Sequence, residues 1–156
     1  MKEPFVIRAA RPDDARAIAA TLAEAFAAYE SLYTPEAFAA TTPNEAVIRS
    51  RFSEGPIRVA VLNEKIVGTV SVIPMDESLY IRSLAVLPEA RGQRIGERLL
   101  SEIERYAVAQ GFQQLILKTT PFLERALRLY EKCGFVPAGV DDLCGTPLII
   151  MTRKLR

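Results

Sequence analysis

Hydrophobic spacing along the chain changes period twice. The short apolar run Phe5-Val6-Ile7 predicts a first strand, after which apolar residues recur at helical spacing. Ala15, Ile18, Leu22, Ala25, Phe26 and Tyr29 fall on one face of a helix opened by Arg11-Pro12-Asp13-Asp14. Pro suits a first turn, and the acids suit the positive end of the helix dipole. Thr34-Pro35-Glu36 begins a second helical piece. Thr42-Pro43-Asn44-Glu45 begins a third, in the form of a capping box with Thr42 as cap and Glu45 three residues on.

From Gly55 the pattern shortens to strands. Ile57 to Leu62 and Ile66 to Ile73 are β-branched runs joined by the hairpin loop Asn63-Glu64-Lys65, and Leu79 to Leu87 is a third run ending at Pro88. Ile95, Leu99, Ile103 and Ala107 then mark a helix from about Ile95 to Gln110, with Gly111 placed to stop it. Leu115-Ile116-Leu117 predicts a buried strand and Phe122 to Cys133 a helix ended by Gly134. Phe135-Val136 and Leu148 to Met151 predict two closing strands, with Asp141 to Pro147 as a loop between them. Strand–helix–strand–helix order in the middle implies a parallel pair, and the hairpins add antiparallel strands. The expected fold class is mixed α/β in one domain, residues 1–156, since no linker, repeat or low-complexity block interrupts the chain.

Composition narrows the chemistry. Twenty Lys and Arg against 19 Asp and Glu give a formal charge of +1, so no global field favours nucleic acid. Histidine is absent, which excludes Ser-His-Asp and Cys-His triads and HExxH zinc sites. The two cysteines, Cys133 and Cys144, are too few for a four-ligand zinc cluster, and no metal is expected. No run reaches the ~18 apolar residues of a membrane span, so a cytoplasmic setting without membrane or nucleic-acid partners is the expectation.

The most informative segment is Leu84-Ala85-Val86-Leu87-Pro88-Glu89-Ala90-Arg91-Gly92-Gln93-Arg94-Ile95-Gly96. An apolar strand runs through a short loop into a helix start that carries two glycines and two arginines. Outward N–H groups, the helix dipole and a full charge on Arg91 together suit a phosphorylated ligand. The bland alternative is a glycine turn and nothing more. Neither GxxxxGK[ST] nor GxGxxG is present.

A second segment, Ala126-Leu127-Arg128-Leu129-Tyr130-Glu131-Lys132-Cys133-Gly134-Phe135, places a tyrosine four residues before a Gly-Phe pair. With the strand Leu79 to Val86 and the loop Arg91 to Gly96, it resembles the GNAT N-acetyltransferase superfamily, over Ile57 to Phe135 and in element order over the whole chain. The resemblance implies a GNAT-like central mixed sheet, splayed between the fourth and fifth strands and flanked by helices. It implies acetyl-CoA as co-substrate. Arg91, Gly92, Gln93, Arg94, Ile95 and Gly96 map to the pyrophosphate loop, and Leu84, Ala85 and Val86 to the strand that offers backbone groups to pantetheine. Tyr130 maps to the general acid that protonates the departing thiolate. On spacing alone, Tyr130 reads as a core aromatic on an apolar stripe, and the family motif reverses that reading.

Two positions depart from the family pattern. Arg94 stands where the loop's middle glycine is usual, so it must hold a φ that glycine adopts more cheaply. Leu123 stands where relatives commonly carry an asparagine that touches pantetheine. Arg98 reads as a solvated charge, Cys133 as a packing residue and Cys144 as an inert loop residue. On the acceptor side, Tyr29, Glu30 and Tyr33 join the first two helices, where the family usually builds its acceptor wall. Glu30 and Glu77 are the candidate bases, because an attacking amine must lose a proton.

The expected function is acetyl transfer from acetyl-CoA to a primary amine, small-molecule or peptide, by direct attack in a ternary complex. The resemblance allows a homodimer. A non-catalytic acyl-CoA-binding module is the principal rival, and a nucleotide-binding domain the weaker one.

Overall fold

The computed structural model describes residues 4–155. It holds a seven-stranded sheet in the order β1-β2-β3-β4-β5-β7-β6. The strands are β1 (Val6–Ala9), β2 (Ile57–Leu62), β3 (Lys65–Met75), β4 (Ser78–Val86), β5 (Gln114–Thr119), β6 (Val136–Leu143) and β7 (Thr146–Lys154). The helices are α1 (Ala15–Phe26), α2 (Pro35–Thr41), α3 (Glu45–Arg51), α4 (Ile95–Gln110) and α5 (Glu124–Lys132). β4 and β5 run parallel, while every other neighbouring pair is antiparallel. That mixed sheet with flanking helices is the expected architecture.

Each face of the sheet is covered by helices. Ile18 and Leu22 of α1 and Ile48 of α3 pack with Ile57 and Val59. On the other face Leu99, Ile103 and Ala107 of α4 pack with Val70, Leu79, Ile81 and Leu115. Strand alternation delivers one set of side chains to each layer.

Alternation in β4 breaks where it matters. Arg82 pairs with Ser71 and Ala85 with Thr69, so two residues of β4, Ser83 and Leu84, oppose the single Val70. Ser83 takes a left-handed φ of 56° to make this bulge. One extra residue flips the faces. Leu79 and Ile81 therefore share a core with Leu84 and Val86, whereas Ala85 packs on the α1 side.

Some turns and caps follow the local sequence signal and others override it. Asn63 and Glu64 both hold positive φ, at 51° and 64°, making a two-residue hairpin turn tighter than the three-residue loop expected. Gly111 ends α4 in the left-handed conformation, as expected, and its N–H reaches back to Val108. The third helix is capped by Asn44, whose side chain accepts from the Val47 N–H at 3.0 Å. Thr42 instead turns its hydroxyl back to Phe38 C=O at 2.8 Å, so the predicted capping box is not formed. Asp141 to Pro147 is not a long loop: β6 and β7 form one hairpin turned by Cys144-Gly145, both at positive φ.

Candidate active site

β4 and β5 are bonded only between Ser78–Ile81 and Gln114–Leu117. Beyond Ile81 the two strands separate, β4 continuing to Val86 and β5 to Thr119. The bulge at Ser83 re-aims β4 at the point of separation. A cavity of about 830 Å³ fills the opening. Leu84, Ala85 and Val86 line one wall, and Leu123, Ala126, Leu129 and Tyr130 of the α5 segment line the other.

The cavity ends at the start of α4. Pro88–Ala90 form a single 3-10 turn, with the Ala90 N–H bonded to Leu87 C=O at 2.9 Å. Gly92 follows at φ 87°, where an L side chain would be strained, and Arg94 enters the helix at φ 62°, ψ 26°. The first intrahelical bond is Arg98 N–H to Arg94 C=O at 3.0 Å, so the N–H groups of the preceding turn have no acceptor within the helix. A Cβ on Gly96 would stand 3.0 Å from Leu129 of α5, closer than such contacts normally run. Glycine there brings α4 against α5, and Glu97–Lys132 ties the two helices at 2.9 Å. Arg91, Gly92, Arg94, Ile95 and Gly96 line the cavity, whereas Gln93 does not. Arg98 lies elsewhere, with its guanidinium over the Phe5 ring at 5.3 Å.

Tyr130 is buried at 7% exposure and meets the Phe135 ring edge-on at 5.9 Å. The Gly-Phe pair after α5 thus packs the tyrosine from one side while its other side faces the cavity. Burial pushes its hydroxyl well above the ordinary tyrosine pKa, and the neighbouring Tyr33 and Cys133 push the same way. The group stays protonated across neutral pH. Cys133 is half-buried, its thiol pKa raised by burial. A thiol so held is a poor nucleophile.

At the other end, the residues after α1 form an aromatic cluster. Phe122 stacks on Tyr29 at 6.4 Å and meets Tyr33 edge-on at 4.9 Å. Tyr29 and Tyr33 line the cavity. Burial raises the Tyr33 pKa, and its neighbours include Thr41 and Thr120. Glu30 does not line the cavity. Glu77 lies in the β3–β4 turn, at the end of the sheet opposite the opening, where its carboxylate accepts from Gln113 at 3.1 Å. The structure therefore separates both candidate bases from the residues it gathers.

Several lining residues carried no signal in sequence. Arg51, from the end of α3, reaches Ser83 Oγ at 2.8 Å, and Arg82 beside it pairs with Glu54. Lys118 of β5 holds Asp141 of β6 at 2.6 Å, and Asp142 follows. These side chains come from distant segments, and only the sheet order brings them together. The β6–β7 hairpin is fixed over the acceptor segment by Thr146, whose Oγ1 accepts the Thr34 N–H at 3.0 Å. Thr34 in turn donates to Cys144 C=O at 2.8 Å.

Residues 18–135 match the acetyltransferase (GNAT) family, and the chain belongs to that family. Over 80 residues it is 35% identical to the probable N-acetyltransferase camello of Xenopus laevis, a match covering 49% of this chain and 36% of that protein. Over 99 residues it is 36% identical to an IAA acetyltransferase of Azospirillum brasilense, covering 62% of this chain and 65% of the relative. In both, the match takes in less than two thirds of the relative's own length. In fold, the chain superposes on the PaiA N-acetyltransferase from Thermoplasma acidophilum, solved in complex with coenzyme A. The TM-score is 0.79 at 20% identity, over 97% of this chain and 99% of that one.

Proposed function

We propose that this member of the GNAT acetyltransferase family transfers an acetyl group from acetyl-CoA to a primary amine. The observation that carries the reading is a single cavity, open along the splayed β4–β5 edge, with an N–H-rich helix start at one end and a buried protonated tyrosine on its wall. The loop fits a pyrophosphate: backbone donors, the α4 dipole and the cations Arg91 and Arg94 converge there. Where β5 has diverged, the outer edge of β4 offers unpaired backbone groups to the pantetheine arm, those of Val86 among them, while Ala85 pairs with Thr69 of β3.

Acetyl-CoA supplies an activated thioester. The chain's own residues hold it and manage the protons. Backbone N–H groups of β4 near Val86 polarise the thioester carbonyl. The amine nitrogen bonds to the acetyl carbon, the carbon–sulfur bond breaks, and Tyr130 gives its proton to the leaving thiolate. The amine's proton passes to solvent or to Asp142, a cavity-lining carboxylate that holds no cation among the described residues.

The test is release of free CoA thiol from acetyl-CoA on addition of amines, across polyamines, amino acids, aminoglycosides and peptide N-termini. Turnover with at least one class is expected. Tight CoA binding with no turnover on any class would overturn the reading in favour of a non-catalytic acyl-CoA-binding module.

A further inference from the structure

The acceptor end of the cavity contains a cation that the chain leaves largely uncompensated. Arg51 is 9% exposed and lines the cavity. A guanidinium carries five N–H donors. The side-chain bond it makes among the described residues is Nη1 to Ser83 Oγ, and none of their carboxylates forms an ion pair with it. Arg82 stands beside it, paired through Nη2 with Glu54, and its buried Nε has no partner. Two arginines against one glutamate leave one net positive charge at this spot. Burial and the adjacent Arg82 bring the Arg51 pKa down to about 10, which still leaves it charged at neutral pH.

A buried cation without an ion-paired anion is costly; Arg82 adds to that cost and Glu54, itself paired with Arg82, offsets only part of it. The cost is recovered when an anion enters the cavity. We propose, on the acetyl-transfer reading above, that the acceptor is an α-amino acid or a close relative, an amine whose own carboxylate is held by Arg51 and Arg82. A carboxylate matches the planar guanidinium fork and neutralises a single net charge. The coenzyme's phosphates are assigned to the opposite end of the cavity, at Arg91 to Gly96. Position places both groups within reach of one acceptor. Ser83, which carries Arg51, is the bulge residue of β4 and comes three residues before Val86, where the thioester is assigned. An amine at the thioester and a carboxylate at Arg51 therefore belong to one small molecule. Phe26, Tyr29 and Tyr80 line the same end and suit an apolar or aromatic side group.

The experiment compares L-phenylalanine with phenylalaninamide and phenethylamine, which lack the carboxylate. Expected is a kcat/KM preference for L-phenylalanine of about 10–100-fold, the range of one charge-assisted hydrogen bond. Arg51→Met should cut that preference at least tenfold, and Arg51→Lys, which keeps charge but not the fork, should retain part of it. Melting curves show that each variant folds. Equal or better turnover of the uncharged amines would overturn the carboxylate site and leave acetyl transfer standing. If no amine is turned over, calorimetry on the CoA-saturated protein decides. Binding of L-phenylalanine that weakens in Arg51→Met keeps the site and sinks acetyl transfer. Equal binding of phenethylamine overturns the site.

Discussion

The two ends of the cavity are built by different means. The coenzyme end is one continuous stretch, β4 through the loop into α4, and it presents mainly backbone: strand-edge groups, Gly92, Gly96 and the first turn of a helix. The acceptor end is assembled from α1, α2, α3, the β4 bulge and the β6–β7 hairpin, and it presents side chains. Backbone recognition suits a ligand that never changes, since any residue in the right conformation supplies the N–H. Side-chain recognition suits a ligand that differs between relatives, because it can be rewritten without disturbing the sheet.

Tyr130 sits between the two ends, and removing its hydroxyl should have the largest effect. Tyr130→Phe keeps the ring on Phe135, so CoA affinity should hold while kcat falls about 100-fold, the low end for a positioned general acid. Burial raises the tyrosine pKa above its ordinary 10, so wild-type activity should show no alkaline fall from this group below about pH 10. Steady-state kinetics and calorimetry check both. Full activity in the variant would remove the acid from the mechanism.

The acceptor end should be the more fragile in stability. Thr146 is buried and accepts the Thr34 N–H, a link made between residues 112 apart in sequence. Thr146→Val keeps the volume and strands that donor, at a cost of about 1–3 kcal/mol in urea unfolding. A neutral result would mean that the hairpin is held by its strand pairing alone.

At the coenzyme end, Gly96→Val places side-chain atoms against Leu129 and the ligand-facing turn. Weakening of CoA binding by about tenfold, or ~1.4 kcal/mol, is expected in calorimetry. Unchanged affinity would displace the phosphate site. The smallest effect is expected at Arg94, held at φ 62°. Arg94→Gly relieves the left-handed strain but loosens the unfolded chain, for a net gain of roughly 0.5–1 kcal/mol in melting experiments. A simultaneous loss of CoA affinity would show that the Arg94 side chain, and not only its backbone, meets the coenzyme.

Legibility in the sequence follows the same division. α4 was delimited correctly because Ile95, Leu99, Ile103 and Ala107 repeat at 3.6 residues and Gly111 stops them. The loop and Tyr130 stood out because their residues are close in sequence and each sits on an element with a strong local pattern. Phe135-Val136 marks only the start of β6; its extension to Leu143 is illegible because it is an edge strand with nearly every residue exposed, so no apolar alternation marks it. The cap of α3 is Asn44 and not the expected Thr42, because both residue types can serve and only the observed chain direction settles which side chain meets a free N–H.

What the sequence by itself determined is therefore whatever depends on short-range periodicity and chain punctuation: the element order, the glycine-bearing helix start, the strained position of Arg94 and the tyrosine before Gly134-Phe135. The tertiary structure alone decided the rest. Arg51 and Ser83 are 32 residues apart, yet they meet at 2.8 Å because α3 packs over the β4 bulge. Glu77 looked suited to the site by residue type, and strand direction sent it to the opposite end of the sheet. Charge pairing, burial and exclusion from a cavity are sums over non-local neighbours, and those neighbours exist only once the sheet has formed.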